Sequence, residues 1–366
     1  MRITSVTQHH VSHSFDGSYE PVWIPGYPQG TNEAELFEIE TDEGITGWAA
    51  SPSFAGGFRY EEQLSLILLG QDPHDLPGIR RKLRSFDLLG PRPWHIEMAL
   101  WDIIGKDAGK PVYELLGGTR REIAAYASTG EHKTVDDRLD YVDERVNEGF
   151  EAVKLRMSRP NLEDDLKVGR RVRDEHPDLD LMFDPNVGWK AQLVDDGTMW
   201  SFGEAVEAGE ALAELDAVWL EEPLPRHDHE DYARLRRKVD VPIAGGEFAD
   251  GVHELRDLLA ADGVDVVQPD CSIACGLGEA KSIADQAERQ GRAYTPHSWT
   301  NGLGLVANLH VAASTDAEWF EYPFEPPFTP EARDFFLERP VEHDDGVVRP
   351  PEGPGLGVEV DREHLE

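Results

Sequence analysis

Between Ala152 and Tyr322 short apolar runs recur, each closed by a polar residue and each followed by room for one helix. Ala152-Val153 leads into Lys154-Leu155-Arg156, Leu181-Met182-Phe183 into Asp184, and Val218-Trp219-Leu220 into Glu221-Glu222. The series continues with Pro242 to Gly246 before Glu247, Val266 to Pro269 before Asp270, Ala293 to Pro296 before His297, and Trp319-Phe320 before Glu321. Strand-length apolar runs alternating with helix-length gaps are the pattern of βα units around a buried parallel sheet. Side chains that do chemistry in such a sheet collect where its strands end. With Ile123 to Ser128 as the first strand the count is eight, which closes a barrel over residues 123–322.

The chain before residue 122 follows a different pattern. Residues 2–12 alternate weakly, and Glu35 to Glu40 with Gly47 to Ala50 reads as a hairpin. Helices are expected at Glu61 to Leu69, Leu76 to Phe86 and Pro93 to Asp107, making residues 1–122 an α+β part. The stretch Phe15 to Thr31 is rich in Gly, Pro and aromatics, so it reads either as a mobile lid or as a solvated connector. Ser51 to Gly57 is a second loop of that kind. The tail from Pro323 has no helical period and is expected to pack back on the N-terminal part, because its aromatics need cover. Helical candidates within the barrel are 135–147, 162–175, 202–214, 232–238, 252–261, 277–290 and 303–313.

Charge excludes some partners. The net charge is -37, which repels nucleic acid and anionic membrane. Acids spread along the whole chain suggest a salt-rich cytoplasm, where self-repulsion is screened. Two cysteines, Cys271 and Cys275, are too few for a four-thiolate zinc site. No run approaches membrane-spanning length and no secretory leader opens the sequence, so a soluble, cytoplasmic protein is expected.

Asp184, Glu221 and Glu247 end three successive strands, which puts three carboxylates on one rim, where their repulsion calls for a cation. All-oxygen donors select a hard ion, Mg²⁺ or Mn²⁺ before zinc. Asp270 and His297 end the next two strands; a carboxylate beside an imidazole fixes its tautomer and makes His297 a plausible base. Lys154 and Arg156 are one residue apart and point to the same side of a strand. They fit either an anionic substrate or a barrel-floor salt bridge to Asp184 or Glu321.

These residues resemble the enolase superfamily, in the subgroup of mandelate racemase and the acid-sugar dehydratases. Ala99 to Lys106 with Leu115 to Gly118 is similar to the family's signature helix. Asp184-Pro185-Asn186, Trp219 to Pro223 and Gly246-Glu247 are similar to its three metal-ligand motifs, and Gln268-Pro269-Asp270 with Pro296-His297 to its dyad. The resemblance implies a modified (β/α)7β TIM barrel under an α+β cap built from residues 1–122 and 323–366. It implies Mg²⁺ on Asp184, Glu221 and Glu247, an Asp270–His297 dyad, and Glu321 at the substrate carboxylate. The loops at 15–31 and 51–57 would set specificity, with Trp23, Tyr27 and Asn186 as substrate contacts. A small sugar acid is the implied partner, and a homo-oligomer between dimer and octamer the implied assembly.

Arg156 departs from the racemase pattern, in which the second residue of a Lys-x-Lys pair is a base. Guanidinium stays protonated, so one-base chemistry is expected: dehydration of an aldonate or aldarate to a 2-keto-3-deoxy acid. Epimerisation and lactone cycloisomerisation use the same parts. A Schiff-base aldolase acting through Lys154, and a sugar-acid binding protein without catalysis, are the readings from other classes.

Overall fold

The computed structural model describes residues 1–53, 57–88, 90, 92–119 and 121–365. The expected loop at Ser51 to Gly57 lies partly outside the described residues.

Three strands open the chain: β1 (Ile3–Tyr19), β2 (Gln29–Thr41) and β3 (Thr46–Pro52) form an antiparallel sheet in that order. Leu36, Phe37 and Ile39 of β2 are fully buried, which anchors the sheet by its central strand. Helices α1 (Glu61–Leu68), α2 (Leu76–Asp87), α3 (Ile96–Ala108) and the short α4 (Val112–Leu115) follow. Helix α3 approaches β3 at Gly47, where a Cβ would stand 2.2 Å from the backbone oxygen of Ala99, so only glycine permits that contact.

From Ile123 strand and helix alternate. They are β4 (Ile123–Ser128), α5 (Val135–Asn147), β5 (Ala152–Arg156), α6 (Leu162–Glu175), β6 (Asp180–Asp184), α7 (Phe202–Glu214), β7 (Trp219–Glu221) and α8 (His229–Arg236). The series ends with β8 (Ile243–Gly245), α9 (Gly251–Ala260), β9 (Val266–Val267), α10 (Leu277–Arg289), β10 (Ala293–Tyr294), α11 (Gly302–Ala312) and β11 (Trp319–Pro323). Their strands pair in parallel in the order β10-β9-β8-β7-β6-β5-β4-β11. At the seam between β10 and β11, Ser298 donates its backbone N–H to Glu321 Oε2 at 2.8 Å and its hydroxyl to the Glu321 backbone oxygen at 2.6 Å.

Strand alternation explains why the barrel is apolar below and charged above. Tyr126, Ala152, Met182, Trp219, Ala244, Val266 and Trp319 form one buried cluster, one residue from each of seven strands. Two residues further along a strand the chain returns to the same side, and there it places Ser128, Lys154, Asp184, Glu221 and Glu321. The fold is therefore the expected barrel with a separate N-terminal cap sheet.

Three expectations change. The segment 15–31 is partly strand: β1 runs to Tyr19 and β2 begins at Gln29, with a register shift between Ser14 and Tyr19 that lets the ladder continue past Gly17. Glu247, Asp270 and His297 lie two or three residues beyond short strands rather than at their last residues. The tail is partly regular, with α12 (Pro330–Arg333) and β12 (Val347–Val348). Strand β12 pairs antiparallel with β4 of the barrel through Val347 opposite Ala124, because the first barrel strand has a free edge there. The tail also reaches the cap, where the Leu356 N–H donates to Asp102 Oδ1 at 2.8 Å and the Asn32 amide donates to the Ala332 oxygen at 2.9 Å.

Candidate active site

Asp184 ends β6, Glu221 ends β7 and Glu247 follows β8, and one carboxylate oxygen from each lies within 4.8 Å of the others. All three are buried. The turn that aims Glu247 depends on Gly246, whose φ of +114° L-residues rarely adopt. Asn186 and Glu222, each just past a strand end, also have positive φ, at 48° and 40°. The Asn186 N–H donates back to Asp184 Oδ1 at 2.7 Å, which holds one candidate ligand rigid. Glu221 Oε2 accepts from Trp219 Nε1 at 3.0 Å and from Gln268 Nε2 at 3.1 Å, and Glu247 Oε1 accepts from Trp189 Nε1 at 2.7 Å.

Two cations face this cluster. Lys154 Nζ lies 2.7 Å from Glu221 Oε1, 2.6 Å from Glu321 Oε1 and 3.5 Å from Asp184 Oδ2. Burial disfavours its charge, yet the carboxylates of Glu221 and Glu321 raise its pKa above the ordinary lysine value. Held as an ammonium, Lys154 is no nucleophile, which speaks against a Schiff-base aldolase. Arg156 pairs with Asp184, donates to Asn186 Oδ1 at 2.9 Å and to the Thr129 carbonyl, and lies 5.2 Å from the Trp23 ring centre. The alternative of a salt bridge to Asp184 or Glu321 is thus present in the geometry, and it involves a candidate metal ligand rather than the floor beneath it.

The triad is a good fit for a hard divalent ion. Its donors are all oxygen, and two cationic side chains do not balance its repulsion: burial first and Glu221 second push Asp184 up to about 6. These residues can hold a metal.

Beside the triad stands the imidazole. His297 Nδ1 is 2.9 Å from Asp270 Oδ2; a carboxylate only accepts, so Nδ1 carries a proton and Nε2 is turned toward Glu247 and Glu321, at 3.6 and 4.0 Å. Asp270 is fixed by bonds from the Ser272 N–H at 2.7 Å and the Asn308 amide at 3.0 Å. Burial lowers the pKa of His297, but Glu247, Glu321 and Asp270 outweigh it and raise the value to about 10. Burial likewise opposes the charge of Glu321, and Lys154 and His297 overcome it, lowering Glu321 to about 2.

A cavity of about 320 Å³ opens over the site, lined by Arg156, Asn186, Glu247 and His297 from the barrel and by Trp23 from the cap. Tyr27, expected to touch substrate, is not among the lining residues; its N–H donates to the Ile24 oxygen at 3.3 Å within the hairpin tip. Sequence reasoning missed Trp189 and Trp299. Trp299 stacks on Tyr19 and donates to Ser128 Oγ at 2.6 Å, and Ser128 in turn donates to Glu321 Oε1 at 2.8 Å. The one available signal was an aromatic two residues after a strand-end histidine.

Comparison with known proteins agrees with this geometry. Residues 18–117 match the family described as mandelate racemase / muconate lactonizing enzyme, N-terminal domain, and residues 137–364 match the enolase C-terminal domain-like family. The chain belongs to the enolase superfamily. Within the superfamily it is 33% identical to the D-galactarolactone cycloisomerase of Agrobacterium fabrum, over 100% of this chain and 98% of that one. It is 30% identical to the arabinonate dehydratase of Saccharolobus solfataricus, over 92% of this chain and 91% of that one. A solved structure of an L-talarate/galactarate dehydratase variant liganded with Mg and L-glucarate superposes with a TM-score of 0.85 at 26% identity, covering 100% of this chain and 92% of that one. By their names these relatives are dehydratases of sugar acids and a cycloisomerase of a sugar lactone, and the chain is an enzyme.

Proposed function

We propose that the chain is a Mg²⁺-dependent acid-sugar dehydratase. The observation that carries this reading is the base count: His297 presents Nε2 to the triad, and Arg156 stands where a two-base enzyme needs a second neutral base. Asp184, Glu221 and Glu247 would hold the ion, and Mn²⁺ would suit the same oxygens. When bound, such an ion supplies Lewis acidity that stabilises charge developing on the substrate carboxylate.

The chain's own residues account for the proton traffic. His297 Nε2 takes the α-proton, and Asp270 stabilises the imidazolium through Nδ1. Charge building on the carboxylate is met by Lys154 and, on the same rim, by Arg156, both fixed before substrate arrives. The imidazolium then returns its proton to the β-hydroxyl, which leaves as water as the Cα–Cβ double bond forms. The enol tautomerises to a 2-keto-3-deoxy acid. Glu321, locked between Lys154, Ser128 and Ser298, orders the carboxylate end.

Likeness to the Agrobacterium fabrum cycloisomerase favours a second reading, opening or rearrangement of a sugar lactone. Incubating sugar acids and lactones with the protein and Mg²⁺ separates the two. A 2-keto acid lighter than its substrate by one water supports dehydration, and an isomer of unchanged mass rejects it.

A further inference from the structure

The charge inventory of the active-site cavity bears on the far end of the substrate, and it rests on the dehydratase reading. Among the described residues lining the cavity, Arg156 is the one permanent cation, and it already serves Asp184, Asn186 and Thr129. The cap wall is built by Gln29, Asn32 and Glu33 of β2. Glu33 has a side chain 22% exposed; it accepts from Thr31 Oγ1 at 3.3 Å and lies 4.0 Å from His10 Nε2. The opposite nitrogen of His10 is 2.7 Å from Glu35, so any positive charge on that ring is shared by two carboxylates. The cap wall therefore offers amides and an acid, good partners for hydroxyl groups and a poor surface for a second carboxylate.

The rest of the lining agrees. Tyr19, Trp23, Trp299 and Phe328 form a packed aromatic wall, with the Trp23 and Trp299 ring centres 5.1 Å apart and Trp299 stacked on Phe328 at 4.9 Å. Such a wall suits the C–H faces of a carbon chain. An adjoining cavity behind Phe248 contains Arg92, but that guanidinium donates to the Phe248 oxygen at 3.1 Å and lies 3.6 Å from Asp250. Arg59, in the same cavity, is exposed.

We infer that the substrate is a monoacid, an aldonate with an uncharged, hydroxylated far end, and that Glu33 is a specificity-determining residue that rejects aldarates. A like charge within several ångströms of Glu33, at an effective dielectric near 20, weakens binding by roughly 10- to 100-fold.

The test compares matched pairs, D-gluconate with D-glucarate and D-galactonate with galactarate, in the presence of Mg²⁺. It reads kcat/KM for 2-keto acid formation and, by calorimetry, the Kd of each acid whether or not it turns over. Expected are a preference for the aldonate of about tenfold or more, and a fall in that preference of similar size in Glu33→Gln. Aldarates handled as well as aldonates, with 2-keto acid still formed, would overturn the inference and leave the dehydratase reading standing. So would a preference for aldarates that disappears in Arg59→Ala, which would place the second carboxylate in the adjoining cavity. If no acid reacts, the dehydratase reading fails, and the order of the Kd values still decides whether the far end must be uncharged.

Discussion

In the proposed mechanism the base is His297 and not Arg156, because only one of the two can give up its proton near neutrality. Carboxylates surround both, but a guanidinium so placed cannot deprotonate near neutrality, whereas an imidazole raised to about 10 can lose its proton in an accessible range. A cation on Glu247 removes part of the field that raises His297, so the acidic limb of a kcat/KM–pH profile should fall above an ordinary histidine, near 6.5, and below 10. Turnover needs the neutral ring, hence the rate rises with pH through that limb; a profile flat from pH 5 to 10 would remove His297 from the role. Asp184 carries the opposite consequence. With its carboxyl raised to about 6, protonation competes with the ion, so Mg²⁺ affinity measured by calorimetry should drop by up to about tenfold per pH unit below that value. At this scale most of the site was legible, because Asp184, Glu221, Glu247, Asp270 and His297 each follow an apolar run. Trp189, Trp299 and the true position of Tyr27 were not, since contacts between the cap and the barrel depend on how the two surfaces meet.

Short elements hold these residues in place. Strands β7 to β10 have two or three residues each, and the turns after them do much of the aiming. At Gly246 a Cβ would meet Leu255 Cδ2 at 3.0 Å while the backbone sits at φ +114°, so Gly246→Ala should cost about 1–3 kcal/mol in chemical denaturation and weaken Mg²⁺ binding by displacing Glu247. An alanine that leaves both unchanged would show that the turn does not set the ligand. Ser298 joins β10 to β11, and Ser298→Ala, losing one hydroxyl bond to the Glu321 oxygen, should lower stability by about 1 kcal/mol. Helices were read from sequence nearly to their ends, as at α6 and α7, because an amphipathic period runs over three turns or more. A two-residue strand such as β9 has no period, and the pairing of β12 with β4 joins segments more than 200 residues apart in sequence.

For the whole molecule, 72 acidic residues face 35 basic ones. Repulsion of this size is screened as the Debye length falls from about 10 Å at 0.1 M salt to about 3 Å at 1 M. The melting temperature should therefore rise across that range of KCl, and one that is constant or falls would argue against the salt-rich setting expected from composition. Among the described residues no helix is long and apolar enough to cross a membrane. The barrel could be read from strand spacing alone and the packing of the C-terminal tail on the cap from its aromatics, whereas the way the hairpin tip meets the barrel could not. The central claim is that a hard ion on Asp184, Glu221 and Glu247 and the imidazole of His297 together release an α-proton. Its most direct test is ¹H NMR of sugar acids in D₂O with Mg²⁺: the account predicts loss of the α-proton signal with the native protein, and none with His297→Asn or after chelation. Persistence of that loss in His297→Asn, or in the chelated protein, would contradict it.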